Sequence, residues 1–156
     1  MIEIDVPGYR TLRLSHLVLD YNGTLAVDGR MASGVGDALN ELAKRLEVHV
    51  ITADTFGKAA ASLAGVSCRL SILPSGRQDE AKLAYVRELG EENCVCMGNG
   101  RNDRLMLKAA ALGVAVMLAE GVAAETLATA DILCGDILSA LALLSHPLRV
   151  VATLRS

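Results

Sequence analysis

The stretch that decides the fold reads Leu17-Val18-Leu19-Asp20-Tyr21-Asn22-Gly23-Thr24-Leu25. It begins with a short continuous apolar run, which is typical of a strand buried on both faces of a parallel sheet. The run ends in a carboxylate, and Asn22-Gly23 then favours a turn. Open parallel sheets bind ligands at the carboxyl ends of their strands, so this stretch predicts both a sheet and a site.

Five more apolar runs follow along the chain, at 48–51, 68–73, 94–97, 114–118 and 132–134. Between them lie helical patterns, with predicted helices at 78–89, 102–111 and 122–128 and with Ser33 and Asp136 as caps of two others. Because continuous strands alternate with helices, we predict one α/β domain over residues 1–156. It is a three-layer, Rossmann-like parallel sheet with helices on both faces.

Two hairpins complete the predicted architecture. Residues 1–14 alternate apolar and polar side chains around Pro7-Gly8, which predicts an N-terminal β-hairpin before the sheet. Residues 25–31 predict a flap hairpin that turns at Asp28-Gly29. Only 32 positions separate Asp20 from Thr52, and 30 separate Thr52 from Lys82, so we expect no cap domain.

Composition narrows the functional classes. The chain is 52% hydrophobic, which supports a packed core, but only 3% aromatic, and its net charge is −3. With no basic surplus and few rings to stack on bases, nucleic acid is not an expected partner. The first residues lack a signal-peptide pattern, and no uncharged stretch reaches the roughly 20 residues of a membrane helix. We therefore expect a cytoplasmic protein that has no membrane segment.

Cysteine and histidine give no sign of a metal site. The four cysteines lie in apolar runs, and we interpret them as small buried hydrophobic residues. His16, His49 and His146 are far apart and do not cluster along the sequence. Because such sites usually show paired cysteines or neighbouring histidines, none is predicted here.

Polar segments follow three of the predicted strands. They are Asp20 to Thr24, Thr52-Ala53-Asp54-Thr55 and residues 98–103. The carboxyl ends of parallel strands share one edge of a sheet, so we expect these segments to converge. Lys82 interrupts an otherwise apolar helix stripe and lies near a helix N-terminus, where the dipole disfavours a cation. A lysine directed at a carboxylate cluster predicts an anion bound between them.

These residue types indicate phosphoryl chemistry. Asp20 could attack phosphorus and form an acyl-phosphate. The amides of the Asn22-Gly23 turn, the Thr52 hydroxyl and Lys82 could hold the phosphoryl oxygens. Each feature has a structural explanation when taken alone, such as a turn or a lysine stem lying on an apolar face. Their joint occurrence in this order is much more specific.

Two further polar residues supply metal ligands. Asn99 and Asp103 lie in the segment after the fourth predicted strand of the sheet, and both offer hard oxygen atoms. Such oxygens suit Mg²⁺, which we expect as the cofactor. We expect the substrate to be a phosphorylated compound.

From His16 onward the sequence resembles the haloacid dehalogenase (HAD) superfamily. Residues 17–25 resemble its first motif, an apolar strand followed by Asp-x-Asp-Gly-Thr, and Val50-Ile51-Thr52 resembles the second. Lys82 matches the lysine of the third motif. Gly98-Asn99-Gly100-Arg101-Asn102-Asp103 resembles the Gly-Asp-Gly-x-Asn-Asp form of the fourth. The match is close to small capless proteins described as soluble P-type-ATPase-like HAD hydrolases.

The resemblance implies a Mg²⁺-dependent hydrolase that forms an aspartyl-phosphate on Asp20. It implies that Thr52 and Lys82 bind the phosphoryl group. The metal ligands that it implies are Asp20, the backbone carbonyl of Asn22, Asn99 and Asp103.

Two residues depart from the superfamily pattern. Asn22 stands where active phosphatases have an aspartate that moves protons, and losing such help typically costs roughly 10²–10⁴ in rate. Asn99 replaces an aspartate that contacts Mg²⁺, which weakens metal binding. We therefore predict a slow phosphoryl hydrolase, with a phosphate-binding or regulatory module of impaired turnover as the alternative.

The missing cap leaves the size of the substrate open. Capless members of the superfamily act on large substrates or close the site with a neighbouring subunit. The N-terminal hairpin has unpaired strand edges, through which the chain could form a homo-oligomer.

Overall fold

The structure is a computed structural model that describes residues 1–54 and 57–156. Its strands are β1 (Ile2–Val6), β2 (Arg10–Leu14), β3 (His16–Asp20), β4 (Ala26–Val27), β5 (Arg30–Met31), β6 (Glu47–Thr52), β7 (Arg69–Ile72), β8 (Cys94–Gly98), β9 (Leu112–Val116) and β10 (Ile132–Cys134). Its α-helices are α1 (Val35–Leu42), α2 (Lys58–Ser62), α3 (Gln78–Leu89), α4 (Arg104–Ala109), α5 (Ala124–Leu127), α6 (Ile137–Ser145) and α7 (Leu148–Leu154). Thr55 lies outside the described residues.

Six strands form one parallel sheet in the order β10-β9-β8-β3-β6-β7. The chain builds outward from β3 through β6 to β7, then returns to β8 and builds outward on the other side. The strand order therefore reverses between β3 and β8. Such a switch point is where open parallel sheets leave a crevice for ligands, at the carboxyl ends of the strands.

Helices cover both faces of the sheet. Leu17 and Leu19 of β3 pack into the larger apolar cluster, with residues of α1 and α6. Val18 faces the other way and packs in a second cluster with Val86 of α3 and Met106 of α4. The parallel sheet with helices packed on both faces confirms the predicted three-layer architecture, and it explains why Leu17, Val18 and Leu19 are all apolar.

The N-terminal hairpin is also confirmed. β1 and β2 are antiparallel, with Ile2 opposite Leu14 and Ile4 opposite Leu12. These inward side chains are buried in the larger apolar cluster, so the hairpin uses its apolar face within its own chain. Homo-oligomerisation through the hairpin's edges stays a prediction.

The flap hairpin pairs β4 with β5 and turns through Asp28 and Gly29. Their φ angles are 51° and 77°, which is the left-handed backbone that a two-residue hairpin turn needs. Between β3 and β6 the described chain adds only this flap and α1. The expectation of no cap domain is therefore confirmed.

Helix ends were predicted with mixed success. Asp136 caps α6, because its Oδ1 accepts a hydrogen bond from the Ser139 N–H at 2.7 Å. The Ser33 cap is wrong: Gly34, at φ 87°, is the N-cap of α1, with no side-chain cap bond. The helix predicted to begin at residue 102 begins later, since Arg101–Asp103 forms a 3-10 turn. Helices α2 and α7 were not predicted.

Cysteine burial follows the prediction only in part. Cys94 and Cys96 are fully buried, whereas Cys68 and Cys134 are partly exposed, and all four are free thiols. The histidines do not cluster along the sequence, but the fold brings two of them together. His16 and His49 lie side by side on β3 and β6, with ring nitrogens 3.3 Å apart, because the two strands are neighbours.

Among residues 1–54 and 57–156, no single helix is long and apolar enough to cross a membrane. Helices α6 and α7 reach that length and hydropathy only as a pair, and they meet at a 105° bend.

Candidate active site

Lys82 reaches from α3 to two carboxylates on opposite sides of the switch point. Its Nζ lies 2.6 Å from Asp20 Oδ1, at the end of β3, and 2.6 Å from Asp103 Oδ1, after β8. The lysine is 1% exposed and Asp103 has no exposed surface. The structure thus brings together three of the predicted site residues as a buried cluster of two carboxylates and one ammonium.

Asp103 is fixed by the backbone around it. Its Oδ2 accepts hydrogen bonds from the N–H groups of Asn99 at 3.0 Å and Gly100 at 2.9 Å. A Cβ atom on Gly98 would lie 2.5 Å from Asp103 Cγ, so only glycine lets the end of β8 pass this carboxylate. The glycine at position 98 therefore has a direct steric cause.

Asn99 is held between two loops. Its Oδ1 lies 3.2 Å from the Thr24 hydroxyl, and its Nδ2 donates a hydrogen bond to the Gly121 carbonyl at 3.0 Å. Gly23 packs against the same amide: its φ is +80°, and a Cβ there would lie 2.3 Å from Asn99 Nδ2. Gly23 thus allows the loops after β3 and β8 to approach closely.

Thr24 is a site residue that the sequence reasoning did not single out. It is fully buried, and its hydroxyl lies 3.2 Å from both Asp20 Oδ2 and Asn99 Oδ1. Having one proton, the hydroxyl donates to one of these oxygens at a time. Its position four residues after Asp20, within the stretch that decides the fold, was the available signal.

The electrostatics of the cluster favour an additional cation. Burial and the neighbouring Asp103 raise the pKa of Asp20 to about 7, although Lys82 acts in the opposite direction. Burial lowers the pKa of Lys82, but the two carboxylates outweigh it, so the net pKa lies above the ordinary value. One ammonium does not fully compensate two buried carboxylates, which leaves room for a second positive charge.

The oxygen donors suit a hard divalent cation. Asp20 and Asp103 supply carboxylate oxygens and Asn99 an amide oxygen, and Mg²⁺ prefers oxygen ligands of this kind. Compared with the superfamily pattern, the set lacks one negative charge. The residues therefore fit the implied metal, although two carboxylates attract a cation less strongly than three would.

Asn22 follows Asp20 by two residues and is exposed. It forms an isolated bridge with Ala26. The two hydrogen bonds of that bridge use the Tyr21 carbonyl and the Gly23 N–H, at 3.0 and 2.7 Å. The Asn22 carbonyl is thus outside the bridge, whereas the Gly23 amide, expected to contact phosphate, is already paired within the chain.

Thr52 ends β6, one position beyond the residue that pairs with Asp20. It is 2% exposed, and its hydroxyl oxygen accepts a hydrogen bond from the Asp54 N–H at 3.1 Å. Its placement beside Asp20 on the neighbouring strand agrees with the predicted convergence of the polar segments. Its contact with phosphate stays a prediction.

A pocket of about 380 Å³ opens beside Asn22. Its other walls are small or charged residues, namely Asp28, Gly29, Ala53, Asp54, Lys58 and Glu120. Glu120 Oε1 accepts a hydrogen bond from the Asp28 N–H at 3.2 Å, which ties the loop after β9 to the flap. The flap and this loop form the rim of the pocket.

Sequence comparison identifies two archaeal relatives of the chain, both from Methanocaldococcus jannaschii. The uncharacterized protein MJ0073 is 42% identical over 84 residues, which cover 51% of this chain and 90% of that protein. The uncharacterized protein MJ0072 is 44% identical over 39 residues, which cover 25% of this chain and 89% of that protein. No family model matches the chain.

Structure comparison identifies two phosphatases and a HAD-superfamily hydrolase that share the fold of this chain. The 3-deoxy-D-manno-octulosonate 8-phosphate phosphatase of Moraxella catarrhalis, solved with magnesium, phosphate and KDO, has a TM-score of 0.69 at 15% identity, covering 89% of this chain and 90% of that one. The cobalt-bound phosphatase of the same name from Haemophilus influenzae has a TM-score of 0.71 at 12% identity, covering 92% and 94%. A Legionella pneumophila protein assigned to HAD subfamily III A has a TM-score of 0.72 at 16% identity, covering 90% and 86%. At these low sequence identities, the structural similarity establishes the fold of this chain alone.

Proposed function

This chain belongs to the same family as MJ0073 and has the HAD fold, and from that premise we propose that it is a metal-dependent hydrolase of phosphoryl groups. The observation that carries the proposal is the position of Lys82, whose Nζ lies 2.6 Å from both Asp20 and Asp103 at the switch point of the sheet. A purely structural role would not explain why three charged groups are buried together at the edge where such sheets bind ligands.

Asp20 is the nucleophile in this proposal. Lys82 holds its Oδ1 and Thr24 lies within hydrogen-bonding distance of its Oδ2, so the carboxylate is oriented from both sides. One Asp20 oxygen forms a bond to phosphorus while the bond from phosphorus to the substrate oxygen breaks. Water then attacks the acyl-phosphate, which releases inorganic phosphate and restores the carboxylate.

Lys82 also binds the phosphoryl group. An ammonium has three N–H donors, and the two carboxylates accept from two of them. The third can donate to a phosphoryl oxygen, and Thr52 at the end of β6 supplies a hydroxyl from the neighbouring strand. These contacts strengthen as negative charge builds on the phosphoryl oxygens in the transition state.

Asp20, Asp103, Asn99 and the Asn22 carbonyl would hold the divalent cation, for which we propose Mg²⁺. When bound, the cation polarises the phosphoryl group and neutralises part of the charge of the site. The amide at Asn99 contributes an oxygen without a charge, so we expect weaker metal binding than an aspartate at that position would give.

The proposed hydrolysis is slow because no carboxylate stands at residue 22. The Asn22 amide cannot protonate the departing oxygen at neutral pH, so the rate depends on how well that oxygen leaves as an anion. Aryl and acyl phosphates, whose leaving groups are stable anions, are therefore the expected substrate class. The same amide also supports the second candidate, a phosphate-binding or regulatory module that turns over poorly.

One assay separates the two candidates. Wild type, Asp20→Asn and Asn22→Asp are incubated with Mg²⁺ and an aryl phosphate, and phosphate release is measured. Under the hydrolase proposal, wild type turns over, Asp20→Asn does not, and Asn22→Asp gains about 10²-fold or more. Turnover in Asn22→Asp alone would favour the binding module. If no variant acts on or binds any phosphate, both proposals are wrong.

A further inference from the structure

A second polar cluster lies at the opposite, amino-terminal edge of the sheet. His16 and Glu47 begin the neighbouring strands β3 and β6 in register, and His49 follows Glu47 by two residues. Side chains two apart on a strand share a face, so all three project to the side that α3 covers. We propose that His16, Glu47 and His49 bind a divalent transition-metal ion, with Zn²⁺ as the best match.

The three ligand atoms form a triangle whose dimensions allow a metal ion to contact all of them. His16 Nδ1 and His49 Nε2 are 3.3 Å apart, and each lies 3.9 Å from Glu47 Oε2. A point equidistant from the three atoms is about 2.2 Å from each, close to the usual Zn–N and Zn–O lengths of roughly 2.0–2.2 Å. In tetrahedral geometry these lengths require ligand atoms roughly 3.3–3.5 Å apart, which the two nitrogens already satisfy.

The carboxylate can move into place. Its side chain is 56% exposed, so a displacement of about half an ångström meets little resistance, whereas the His49 side chain is 1% exposed and is the fixed point. The His16 side chain is 18% exposed, which gives an ion access from solvent. Two histidines and one glutamate with one open position form a known zinc ligand set.

Tyr85 orients the buried histidine. Its hydroxyl lies 2.9 Å from His49 Nδ1, and Ser71 Oγ donates to the same hydroxyl at 3.3 Å. When His49 Nδ1–H donates to Tyr85, the lone pair of Nε2 points at the other two ligands. Metal-binding histidines almost always make such an outer hydrogen bond.

The charges around the cluster are consistent with an ion. Arg69 faces the carboxylate, with Nη2 3.6 Å from Glu47 Oε2. Its side chain is 73% exposed, so it can leave when a metal ion takes its place as the cation beside Glu47.

The metal would couple two strands to the helix that serves the other site. It would join β3 to β6, and through Tyr85 it would fix α3, where Lys82 lies one turn away. This coupling does not depend on phosphoryl hydrolysis.

Cobalt absorption tests the proposal. The tag-free full chain is titrated with Co²⁺ in excess Mg²⁺, because tetrahedral Co²⁺ with nitrogen ligands absorbs visible light far more strongly than octahedral Co²⁺ bound to oxygens. We expect one equivalent of Co²⁺ to bind with strong visible absorption, and we expect Zn²⁺ to displace it. His16→Gln and Glu47→Gln should each weaken binding at least tenfold, and Tyr85→Phe by about 10–100-fold.

Two controls give the result its meaning. His146→Gln removes an exposed histidine elsewhere and should leave the spectrum unchanged, and Asp20→Asn should keep it, because the phosphoryl site is separate. The proposal is overturned if wild type shows no strong band or if His16→Gln keeps the full band. It is also overturned if Asp20→Asn, folded by circular dichroism, loses the band.

Discussion

The side-chain amide of Asn99 donates a hydrogen bond to the carbonyl oxygen of Gly121 at 3.0 Å, while its oxygen lies 3.2 Å from the Thr24 hydroxyl. An aspartate in this position has no N–H to donate, and it would bring a third carboxylate close to Asp20. The amide is therefore fitted to the loop that contacts it, and its presence follows from local structure as well as from any effect on catalysis.

Replacing Asn99 by aspartate should separate stability from metal binding. We expect Asn99→Asp to lower the free energy of unfolding of the metal-free protein by about 1–3 kcal/mol, because the Gly121 carbonyl loses its donor. Mg²⁺ should stabilise the variant more than it stabilises wild type, since the cation gains an anionic ligand. Urea unfolding with and without Mg²⁺ measures both effects. Asn93→Asp is the control, because Asn93 is partly exposed and lies away from the site. If Mg²⁺ stabilises both variants equally, the prediction is wrong.

Removing the Lys82 ammonium should strongly destabilise the protein. Lys82→Met leaves Asp20 and Asp103 buried without a cation, and breaking a buried ion pair in this way typically costs about 3–5 kcal/mol. Mg²⁺ should recover part of the loss by supplying positive charge. Urea unfolding at pH 8 measures the loss in the free energy of unfolding. Lys108→Met, which replaces an exposed lysine on α4, is the control. A loss no larger than that of the control would mean that the cluster is not buried as described.

The pH dependence of metal stabilisation follows from the raised pKa of Asp20. This pKa is about 7 in the native protein and near 3.8 in the unfolded chain. Between these values the native state binds more protons, so the contribution of Asp20 to the free energy of unfolding falls as pH rises from about 4 to 7. A cation needs the ionised carboxylate, so Mg²⁺ must displace that proton at low pH.

Mg²⁺ should therefore raise the melting temperature more at pH 8 than at pH 6. At pH 6 a group of pKa about 7 is roughly one-tenth ionised, so the apparent affinity should be about tenfold weaker than for the ionised site. Thermal unfolding over a Mg²⁺ series at both pH values gives the two affinities. In Asp20→Asn, the difference in Mg²⁺ affinity between pH 6 and pH 8 that is due to this residue should vanish. If the difference persists, another group causes it.

The glycine before Asn99 gives a steric test. Gly98→Ala would place a Cβ 2.5 Å from Asp103 Cγ, so the carboxylate or the strand end has to shift. We expect a loss of about 1–3 kcal/mol in stability, as for other overpacked sites, together with weaker Mg²⁺ binding. Gly135→Ala is a matched control, since nothing lies within 4 Å of its added Cβ. Equal stability of the two variants would show that the loop accommodates the methyl group.

Local patterns were enough to predict much of the fold. The bounds of α3 (Gln78–Leu89) and β10 (Ile132–Cys134) coincide with the sequence prediction, because periodicity and apolar runs are properties of neighbouring residues. The Ser33 cap failed because capping depends on the backbone path into α1, which passes through the left-handed Gly34 and which the residue pattern does not specify.

The sequence by itself determined that Asp20, Lys82 and Asp103 lie at one edge of a parallel sheet, because carboxylates after buried strands and a lysine in an apolar stripe are visible without a structure. Only the tertiary structure decided that Lys82 bridges both carboxylates, that the Gly23 amide is already paired, and that His16 meets His49 across 33 residues. These contacts depend on which strands become neighbours and in what register. That choice is set by packing of the whole sheet, and no local pattern records it.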